Sequence, residues 1–418
     1  MATDIDVIII GAGVAGLNAA RTLMTHGVSF VVVEAGHRIG GRAYSEQLGN
    51  GSWFDLGCSY LHEGEINPIV PLAHEMGVRL GDGQRYDLGH WHLAAGDRLA
   101  TPEQREGFRA FYASLDEAMA ARIEDCPISD LIDWDSPYAP TYAAVMTGLN
   151  AADVTEQSVL DYLRSGFGLD YPVGGGLGRL IAQWGAVVPV TLNCAVDRLE
   201  WRRGQVTAHT QHGRVTAKRA IITVSTGILA SSGLAFAPAL PDMWISAIGG
   251  LPCGTLNKIG LGFAPGSFAP EDAGWHTNIE PPIDPEADAS CGFDINLDGP
   301  DQVIVFEGGS RGIYLERLGP QAMRDYALDA VTSRFGSAIE SRLEGSITTA
   351  WHSEPLSLGS YAYATPGFMH ARDQLRLPIE ETLFFAGEAT SKNHYGTCHG
   401  AYWEGARAAD EVVRLERA

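Results

Sequence analysis

The chain has 418 residues, of which 45% are hydrophobic, so it is long enough for two or three folding units with a substantial core. Its formal net charge of −22 argues against nucleic-acid binding, because affinity for phosphate backbones depends on clustered lysine and arginine. No apolar run approaches the roughly 20 residues that span a bilayer, and the N-terminus enters its first strand without a basic, cleavable segment. We therefore expect a cytoplasmic protein that does not bind membranes.

Charge and cysteine content also indicate which substrates and metal ions the protein could bind. An acidic surface suits a cationic substrate, although acidity alone is equally explained by solubility. The six cysteines lie far apart without a CxxC pair, so neither a disulfide framework nor a zinc site is indicated, and we predict no metal.

The N-terminal residues carry the most informative pattern. The apolar run at 5–10 predicts a buried parallel strand, and residues 18–26 have the spacing of a helix whose N-terminus would face phosphates. A second strand, at 29–33, delivers Glu34, whose carboxylate can hold the ribose hydroxyls of an adenosine. Between the first strand and the helix, glycines in GxGxxG spacing let the backbone approach a pyrophosphate: Gly11, Gly13 and Gly16. The pattern predicts a dinucleotide site.

A second glycine cluster follows directly, in Arg38-Ile39-Gly40-Gly41-Arg42. A double glycine flanked by arginines offers another close backbone approach and fixed cations, as expected for a cofactor with a second large half. NAD proteins do not need such a cluster, so the sequence favours FAD. A glycine-rich turn without a ligand is the alternative for GxGxxG alone, but the strand, helix, acid and arginines all agree.

The following elements alternate between helical and strand patterns. Residues 53–62 predict a short strand, and residues 63–172 are predicted to be mostly helical apart from a hairpin at 86–98. Glycine-rich residues 173–178 then lead back to a helix and to a sheet, in which Val196 lies where a backbone pair could clamp adenine. The predicted strands of that sheet are 187–192, 195–201, 205–210 and 214–223.

The predicted strand at 254–263 contains an unusual lysine. Its period of two places Lys258 on one face with Gly260 and Gly262. A solvent-facing lysine on an edge strand is the ordinary interpretation, and a functional lysine beside positions without side chains is the other. Neighbouring motifs must decide between them.

The C-terminal part is predicted to contain a buried strand at 303–306, a helix at 320–335 and a last helix from about 400 to 417. This last helix begins among glycines and small residues. Its N-terminus carries partial positive charge, which would stabilise the negative charge of a reduced flavin.

These motifs resemble those of the flavin-containing amine oxidases, the family of polyamine oxidases, monoamine oxidases and lysine-specific histone demethylases. The resemblance covers nearly the whole chain, and Leu61-His62 with Tyr395-x-Thr-x-His-Gly is closest to the polyamine oxidase branch. Besides the glycine turn and residues 38–42, the motifs are Asp55-Leu56-Gly57, Leu256-Asn257-Lys258-Ile259, Trp351 with Gly359-Ser360-Tyr361, and Ala386-Gly387-Glu388 with Thr397-x-His399-Gly400.

The resemblance implies an α/β fold in which a Rossmann-like FAD-binding domain carries an inserted α+β substrate-binding domain. The discontinuous FAD-binding domain would comprise residues 1–62, 173–250 and 370–418. The substrate-binding domain would comprise residues 63–172 and 251–369, and the amine would lie over the flavin.

The resemblance also implies residue roles. Lys258 would be catalytic, holding a water against flavin N5. Tyr361 and Tyr395 would form an aromatic wall for the substrate, with core packing as the alternative. His62 and Tyr402 would contact the substrate. For His62 the alternative is a structural histidine that is hydrogen-bonded to neighbouring backbone. The residues implied to bind the cofactor are Gly11, Gly13, Ala15, Gly16, Glu34, Ala35, Arg38, Gly41, Arg42, Gly57, Cys58, Ser59, Tyr60, Val196, Trp351, Gly387, Glu388, Thr397, Cys398 and Ala401. Small apolar filling is the alternative for the two cysteines.

The implied activity is FAD-dependent oxidation of a polyamine or another amine. A neutral amine would transfer hydride from its α-carbon to flavin N5, water would hydrolyse the imine, and O₂ would reoxidise the flavin with release of H₂O₂. Ser360 stands where monoamine oxidases carry a flavin-linked cysteine, so we predict non-covalent FAD. The alternatives are an L-amino-acid oxidase or a flavin-dependent desaturase on the same fold, or an inactive flavin-bound scaffold. We expect a monomer or homodimer.

Overall fold

The computed structural model describes residues 5–83, 88–95, 98–166, 168–231, 233–279, 292–297 and 299–417. The helices are α1 (Val14–His26), α2 (Ile69–Glu75), α3 (Pro102–Ala120), α4 (Ala139–Asn150), α5 (Val159–Tyr162), α6 (Leu177–Gly185), α7 (Thr226–Ala230), α8 (Asp242–Gly249), α9 (Gly309–Leu318), α10 (Pro320–Phe335), α11 (Ala371–Leu375) and α12 (Cys398–Glu416). The strands are β1 (Val7–Ile10), β2 (Phe30–Val33), β3 (Ser45–Gln47), β4 (Trp53–Asp55), β5 (Tyr60–Leu61), β6 (His92–Ala95), β7 (Arg98–Leu99), β8 (Tyr171–Pro172), β9 (Val190–Thr191), β10 (Val196–Arg202), β11 (Gln205–Thr210), β12 (Gly213–Ala217), β13 (Arg219–Ile222), β14 (Ala235–Ala237), β15 (Leu256–Phe263), β16 (Gly274–Asn278), β17 (Gly292–Ile295), β18 (Gln302–Gly308), β19 (Leu343–Thr348) and β20 (Leu383–Phe385).

The N-terminal apolar run forms the central strand of a parallel sheet with the order β20-β13-β1-β2-β9. All four residues of β1 are buried because α1 and α12 cover one face and a second cluster of apolar residues covers the other. A strand buried on both faces needs apolar residues throughout, which is why it lacks alternation. The predicted Rossmann-like domain is confirmed.

The second large sheet is mostly antiparallel and has seven strands, in the order β19-β15-β18-β17-β16-β6-β7. Helices α9 and α10 pack near it, where apolar side chains of β15, β17, β18 and α10 form a separate core cluster. A four-stranded sheet, β12-β11-β10-β14, lies beside the parallel one. The fold is therefore mixed α/β, as predicted, while the exact domain boundaries stay a prediction.

Several predicted elements differ from the observed ones. The strand predicted at 214–223 is divided into β12 and β13, and the strand at 187–192 is reduced to β9. The region 63–172, predicted to be mostly helical, contains helices α2 to α5 and also strands β6 and β7, which belong to the seven-stranded sheet. Of the predicted hairpin at 86–98, residues 86, 87, 96 and 97 lie outside the described part. The remainder forms a 3-10 helix at Leu88–His90, β6 and the start of β7.

Lys258 does not lie on an edge strand. Strand β15 is paired with β18 on one side and β19 on the other, and Lys258 is only 4% exposed. The interpretation as a solvent-facing lysine is therefore wrong. Among the described helices, none is long and apolar enough to cross a bilayer.

Candidate active site

A cavity of about 2130 Å³ is lined by residues of both large sheets, including Ile10 of the parallel sheet and Phe306 of the seven-stranded one. All residues that the sequence assigned to the cofactor or the substrate line this cavity, except Gly16 and Tyr402. Motifs that lie hundreds of residues apart in the chain therefore meet at one cavity. Their individual roles stay predictions.

The glycine turn after β1 forms what we call the dinucleotide end of the cavity, lined by Gly11, Gly13, Ala15 and Glu34. Gly11 has φ +102°, and a Cβ atom on Gly16 would lie 2.0 Å from the Gly11 carbonyl oxygen, so both positions require glycine. Gly16 thus supports the turn from behind. No side chain caps α1 at Gly13, and its first N–H groups suit a pyrophosphate.

Glu34 is held at the end of β2 by backbone amides. Its Oε2 accepts a hydrogen bond from the Ala12 amide and its Oε1 accepts one from the Gly36 amide, each at 2.7 Å. Ala35 and Val196 line the cavity as well. A carboxylate oriented in this way retains lone pairs that ribose hydroxyls could use.

The predicted arginines brace the second glycine cluster. Arg38 NH1 donates to the Gly41 carbonyl at 2.8 Å, and its guanidinium lies 3.8 Å from the ring centroid of Tyr44. Burial lowers the pKa of Arg38. Gly41 has φ +57°, and a Cβ atom there would lie 3.1 Å from the Cα of Gly13, so the two glycine turns support each other.

Arg42 and Glu388 form a partly buried ion pair that joins four motifs. Arg42 NH1 lies 2.9 Å from Glu388 Oε1 and also donates to the Ser360 carbonyl. Glu388 accepts further hydrogen bonds from the amides of Ala362 and Gly396, at 3.1 and 2.9 Å. Burial disfavours the Arg42 cation, but Glu388 outweighs it and raises the pKa of Arg42. The pair fixes the cavity wall between distant segments.

Lys258, Tyr361 and Tyr395 line what we call the reaction end of the cavity. The ammonium of Lys258 donates to the Asp55 carbonyl at 3.2 Å, to Ser59 Oγ at 2.5 Å and to the Gly57 carbonyl. Lys258 thus anchors the segment of residues 55–59. The side chain nitrogen of this buried lysine is thus held against three oxygens at the cavity wall.

The segment around residue 56 is held from two more directions. Trp351 Nε1 donates to the Leu56 carbonyl at 2.9 Å, and the Asp55 carboxylate accepts bonds from the amides of Leu177 and Gly178 at 2.8 and 3.0 Å. Burial raises the pKa of Asp55, although these bonds partly offset the effect. The carboxylate therefore caps α6 and ties the segment to the FAD-binding side.

The two tyrosines of the reaction end are neutral phenols. Burial raises the pKa of Tyr361 and of Tyr395 well above the ordinary value for tyrosine. Tyr361 donates to the Leu149 carbonyl at 2.5 Å, whereas the Tyr395 hydroxyl donates to the Asp161 carbonyl at 3.0 Å and accepts from Ser165 at 2.7 Å. Both rings are thus fixed at their hydroxyl ends.

Arg372 supports Tyr395 and was missed by the sequence analysis. Its guanidinium lies 3.7 Å from the Tyr395 ring centroid and is fully buried. Nε and NH2 bind the two Asp161 carboxylate oxygens at 2.9 and 2.8 Å, and the remaining bonds go to the Ala362 and Ala389 carbonyls. Asp161 lies 211 residues away in the chain, so no local signal could identify the pair.

His62 lies on the cavity wall, with Nδ1 at 2.9 Å from Asp170 Oδ1. Burial opposes its protonation, but Asp170 outweighs burial and raises the pKa of His62. The neighbouring Cys58 thiol, together with burial, raises the pKa of Cys398. Both cysteines line the cavity.

Tyr402 is placed away from the cavity. Its ring packs against Trp184, with centroids 5.5 Å apart, and its carbonyl accepts a bond from Asn18 of α1. Ala401 lines the cavity, and the next helical residue is rotated by about 100°. Tyr402 packs against the core between α1, α6 and α12 and does not line the cavity, so its substrate contact stays a prediction without support from this geometry.

A family model described as flavin containing amine oxidoreductase matches residues 14–137 and 124–413. Polyamine oxidase 4 of Oryza sativa subsp. japonica is 29% identical, over 97% of this chain and 88% of its own length. Polyamine oxidase 2 of Arabidopsis thaliana is 28% identical, over 97% of this chain and 87% of its own.

Two further comparisons match either only part of the relative or with low sequence identity. Lysine-specific histone demethylase 1 homolog 2 of Oryza sativa subsp. japonica is 26% identical over 97% of this chain, but the match spans only 57% of that protein. A solved structure of wild-type putrescine oxidase bound to putrescine superposes with a TM-score of 0.78 and 20% identity, covering 98% of this chain and 99% of that one. This last comparison concerns the fold.

Proposed function

Because the chain belongs to the flavin containing amine oxidoreductase family, and is thus an FAD-dependent amine oxidase, we propose that it oxidises a diamine or polyamine at a carbon next to nitrogen. The observation that carries the proposal is the reaction end, where the buried Lys258 and two neutral tyrosines line the same cavity. The polyamine oxidases among the relatives support the substrate class.

The residues along the cavity suit FAD in their chemistry. The uncapped N-terminus of α1 would hold the pyrophosphate, Glu34 the ribose, and Arg42 with Glu388 would fix the wall beside the ring. When bound, FAD supplies the acceptor for a hydride from the α-carbon of the amine. The N-terminus of α12, whose Cys398 and Ala401 line the cavity, would favour negative charge there.

The reaction end favours an amine that has lost its proton. Free amines have a reference pKa near ~10, so most enter as ammonium ions and must be desolvated and deprotonated before oxidation. Aromatic faces attract a cation, but the Arg372 guanidinium against Tyr395 opposes a second cation at that ring. Tyr361 and Tyr395 would therefore orient a neutral nitrogen, and we expect turnover to rise with pH.

Lys258 serves the step that follows amine oxidation. Its ammonium is fixed by oxygens of the 55–59 segment, so it would present a positive charge and a bound water near the reacting face. We propose O₂ as the acceptor, with H₂O₂ as product, and non-covalent FAD because Ser360 replaces the linking cysteine. Ser360 lies in the cavity wall, where its hydroxyl is bonded to the Gly254 carbonyl at 3.1 Å.

A substrate screen tests the proposal. Purified enzyme is offered putrescine, spermidine, spermine, benzylamine and L-amino acids, and both peroxide release and anaerobic bleaching of the flavin are followed. We expect bleaching and peroxide with at least one aliphatic diamine or polyamine. Amino acids belong in the screen because Arg311 also lines the cavity, although Glu307 lies 3.9 Å from it.

The outcomes separate the alternatives. Bleaching by amino acids alone would replace the proposal by an amino-acid oxidase, and bleaching without peroxide would exclude O₂ as the acceptor. Acid precipitation should release the yellow cofactor into the supernatant. Flavin retained in the pellet would contradict non-covalent binding.

A further inference from the structure

One carboxylate and two imidazoles meet beside the cavity, outside the machinery described so far. Glu63, His394 and His399 each present one donor atom, and the three atoms lie within 4.8 Å of one another. Glu63 Oε2 is 2.6 Å from His394 Nδ1 and 3.1 Å from His399 Nε2. Glu63 and His394 line the cavity, next in sequence to His62 and Tyr395.

The cluster is rigidly held. The side chain of Glu63 is 9% exposed and that of His399 1%, whereas His394 remains 22% exposed. A Cβ atom on Gly166 would lie 2.0 Å from Glu63 Oε1, so the carboxylate occupies space that only a glycine leaves free. Both imidazole rings contact Trp403 edge-on, with centroids 4.6 and 5.1 Å away. The donor atoms are thus positioned before any ligand arrives.

We propose that Glu63 Oε2, His394 Nδ1 and His399 Nε2 bind one divalent transition-metal ion of the Zn²⁺ class, with the fourth coordination position open to the cavity. Two imidazoles and one carboxylate suit Zn²⁺ and Cu²⁺, whereas Mg²⁺ and Ca²⁺ prefer oxygen ligands alone. The sequence analysis predicted no metal from the spacing of the cysteines, and a cluster whose Glu63 and His399 are 336 positions apart leaves no such local pattern.

The geometry needs little adjustment. Metal–ligand bonds of about 2.0–2.2 Å in a tetrahedral site place donor atoms roughly 3.3 Å apart. The two distances from Glu63 Oε2 are 2.6 and 3.1 Å, so these two pairs need to separate by less than an ångström, and the two imidazole nitrogens lie within 4.8 Å of each other. Each imidazole would turn its lone pair, in place of its N–H, toward the ion.

Calorimetry on the FAD-loaded enzyme tests the site without reference to activity. Titration with ZnCl₂ should show one equivalent bound per chain, and MgCl₂ should produce no binding heat. Glu63→Gln and His394→Gln should each weaken zinc binding by at least about tenfold. His90→Gln is the matched control, because His90 is an exposed histidine of the same cavity wall and should leave zinc affinity unchanged.

A second measurement uses the parent protein, so it does not depend on how the variants fold. Stoichiometric Cu²⁺ should give an electron paramagnetic resonance spectrum with hyperfine splitting from two imidazole nitrogens. The absence of stoichiometric Zn²⁺ binding, equal affinity in Glu63→Gln and the parent, or a Cu²⁺ spectrum without nitrogen coupling would each overturn the proposal. An enzyme inactive on amines that still binds zinc here would refute the proposed function and leave this inference standing.

Discussion

The dinucleotide end and the reaction end of the cavity are built in different ways. At the dinucleotide end, backbone amides and one carboxylate from residues 11–36 form the wall. At the reaction end, buried side chains join segments that lie far apart, as Arg372 does with Asp161 and Lys258 with Ser59. The difference teaches that one end depends on local chain geometry and the other on the completed fold.

The largest effect should follow from breaking the buried ion pair behind Tyr395. Arg372→Met leaves the Asp161 carboxylate buried without its partner, so we expect a loss of about 3–5 kcal/mol of unfolding free energy. Urea unfolding of the FAD-loaded enzyme measures it. The control is Arg164→Met, whose ion pair with Asp373 is partly exposed and should contribute at most about 1 kcal/mol. Equal losses in both variants would contradict the larger contribution expected of the buried pair at the reaction end.

Lys258→Met separates chemistry from assembly at the reaction end. We expect the variant to fold and bind FAD, while reaction of its reduced form with O₂ slows by roughly 10²-fold, as is typical when one positioned charge is removed. Stopped-flow absorbance measures this rate. Lys392→Met, at a 45% exposed side chain, is the control and should match the parent. Traces for Lys258→Met that match the parent would discard its assigned role.

Glu34→Gln tests the other end. The amide retains an oxygen for one backbone N–H but removes the negative charge that would accept bonds from ribose hydroxyls. We expect the FAD dissociation constant to rise about tenfold, with turnover at saturating FAD unchanged. Fluorescence titration of the apoprotein measures the affinity, and the exposed Glu75→Gln serves as control. A fall in turnover without a change in affinity would reverse the assignment of the two ends.

The same contrast explains what the sequence could predict. The glycine turn, Glu34 and the Rossmann-like sheet were predictable because a strand, a turn and a helix within about thirty residues restrict one another. Period two correctly placed Lys258 on a face with two glycines, but its burial depends on β18 and β19, which no local pattern assigns to β15. Edge and interior strands therefore could not be distinguished.

Other parts of the site depend on partners that sequence spacing cannot identify. Arg372 and Glu63 have ordinary local surroundings, and only the fold brings them to Asp161 and His399. Ala401 lines the cavity and Tyr402 does not, because one step along a helix turns the side chain by about 100°. Motif membership indicated the right helix but not the right side of it.

The smallest expected effect is a pH dependence of the unfolding free energy that arises in the seven-stranded sheet behind the reaction end. His276 stacks on His92 and Phe293, and burial lowers the pKa of His276 from 6.5 to about 4. Between these values the unfolded chain binds more protons than the folded one, so stability falls as the pH drops from 6.5 toward 4. His276→Gln should reduce this slope by up to about 1.4 kcal/mol per pH unit, as measured by urea unfolding at several pH values. Above pH 7 the imidazole is neutral in both the folded and the unfolded state, so the difference in unfolding free energy between variant and parent should not depend on pH. If the variant and the parent have the same slope below pH 6.5, His276 is already protonated in the folded sheet.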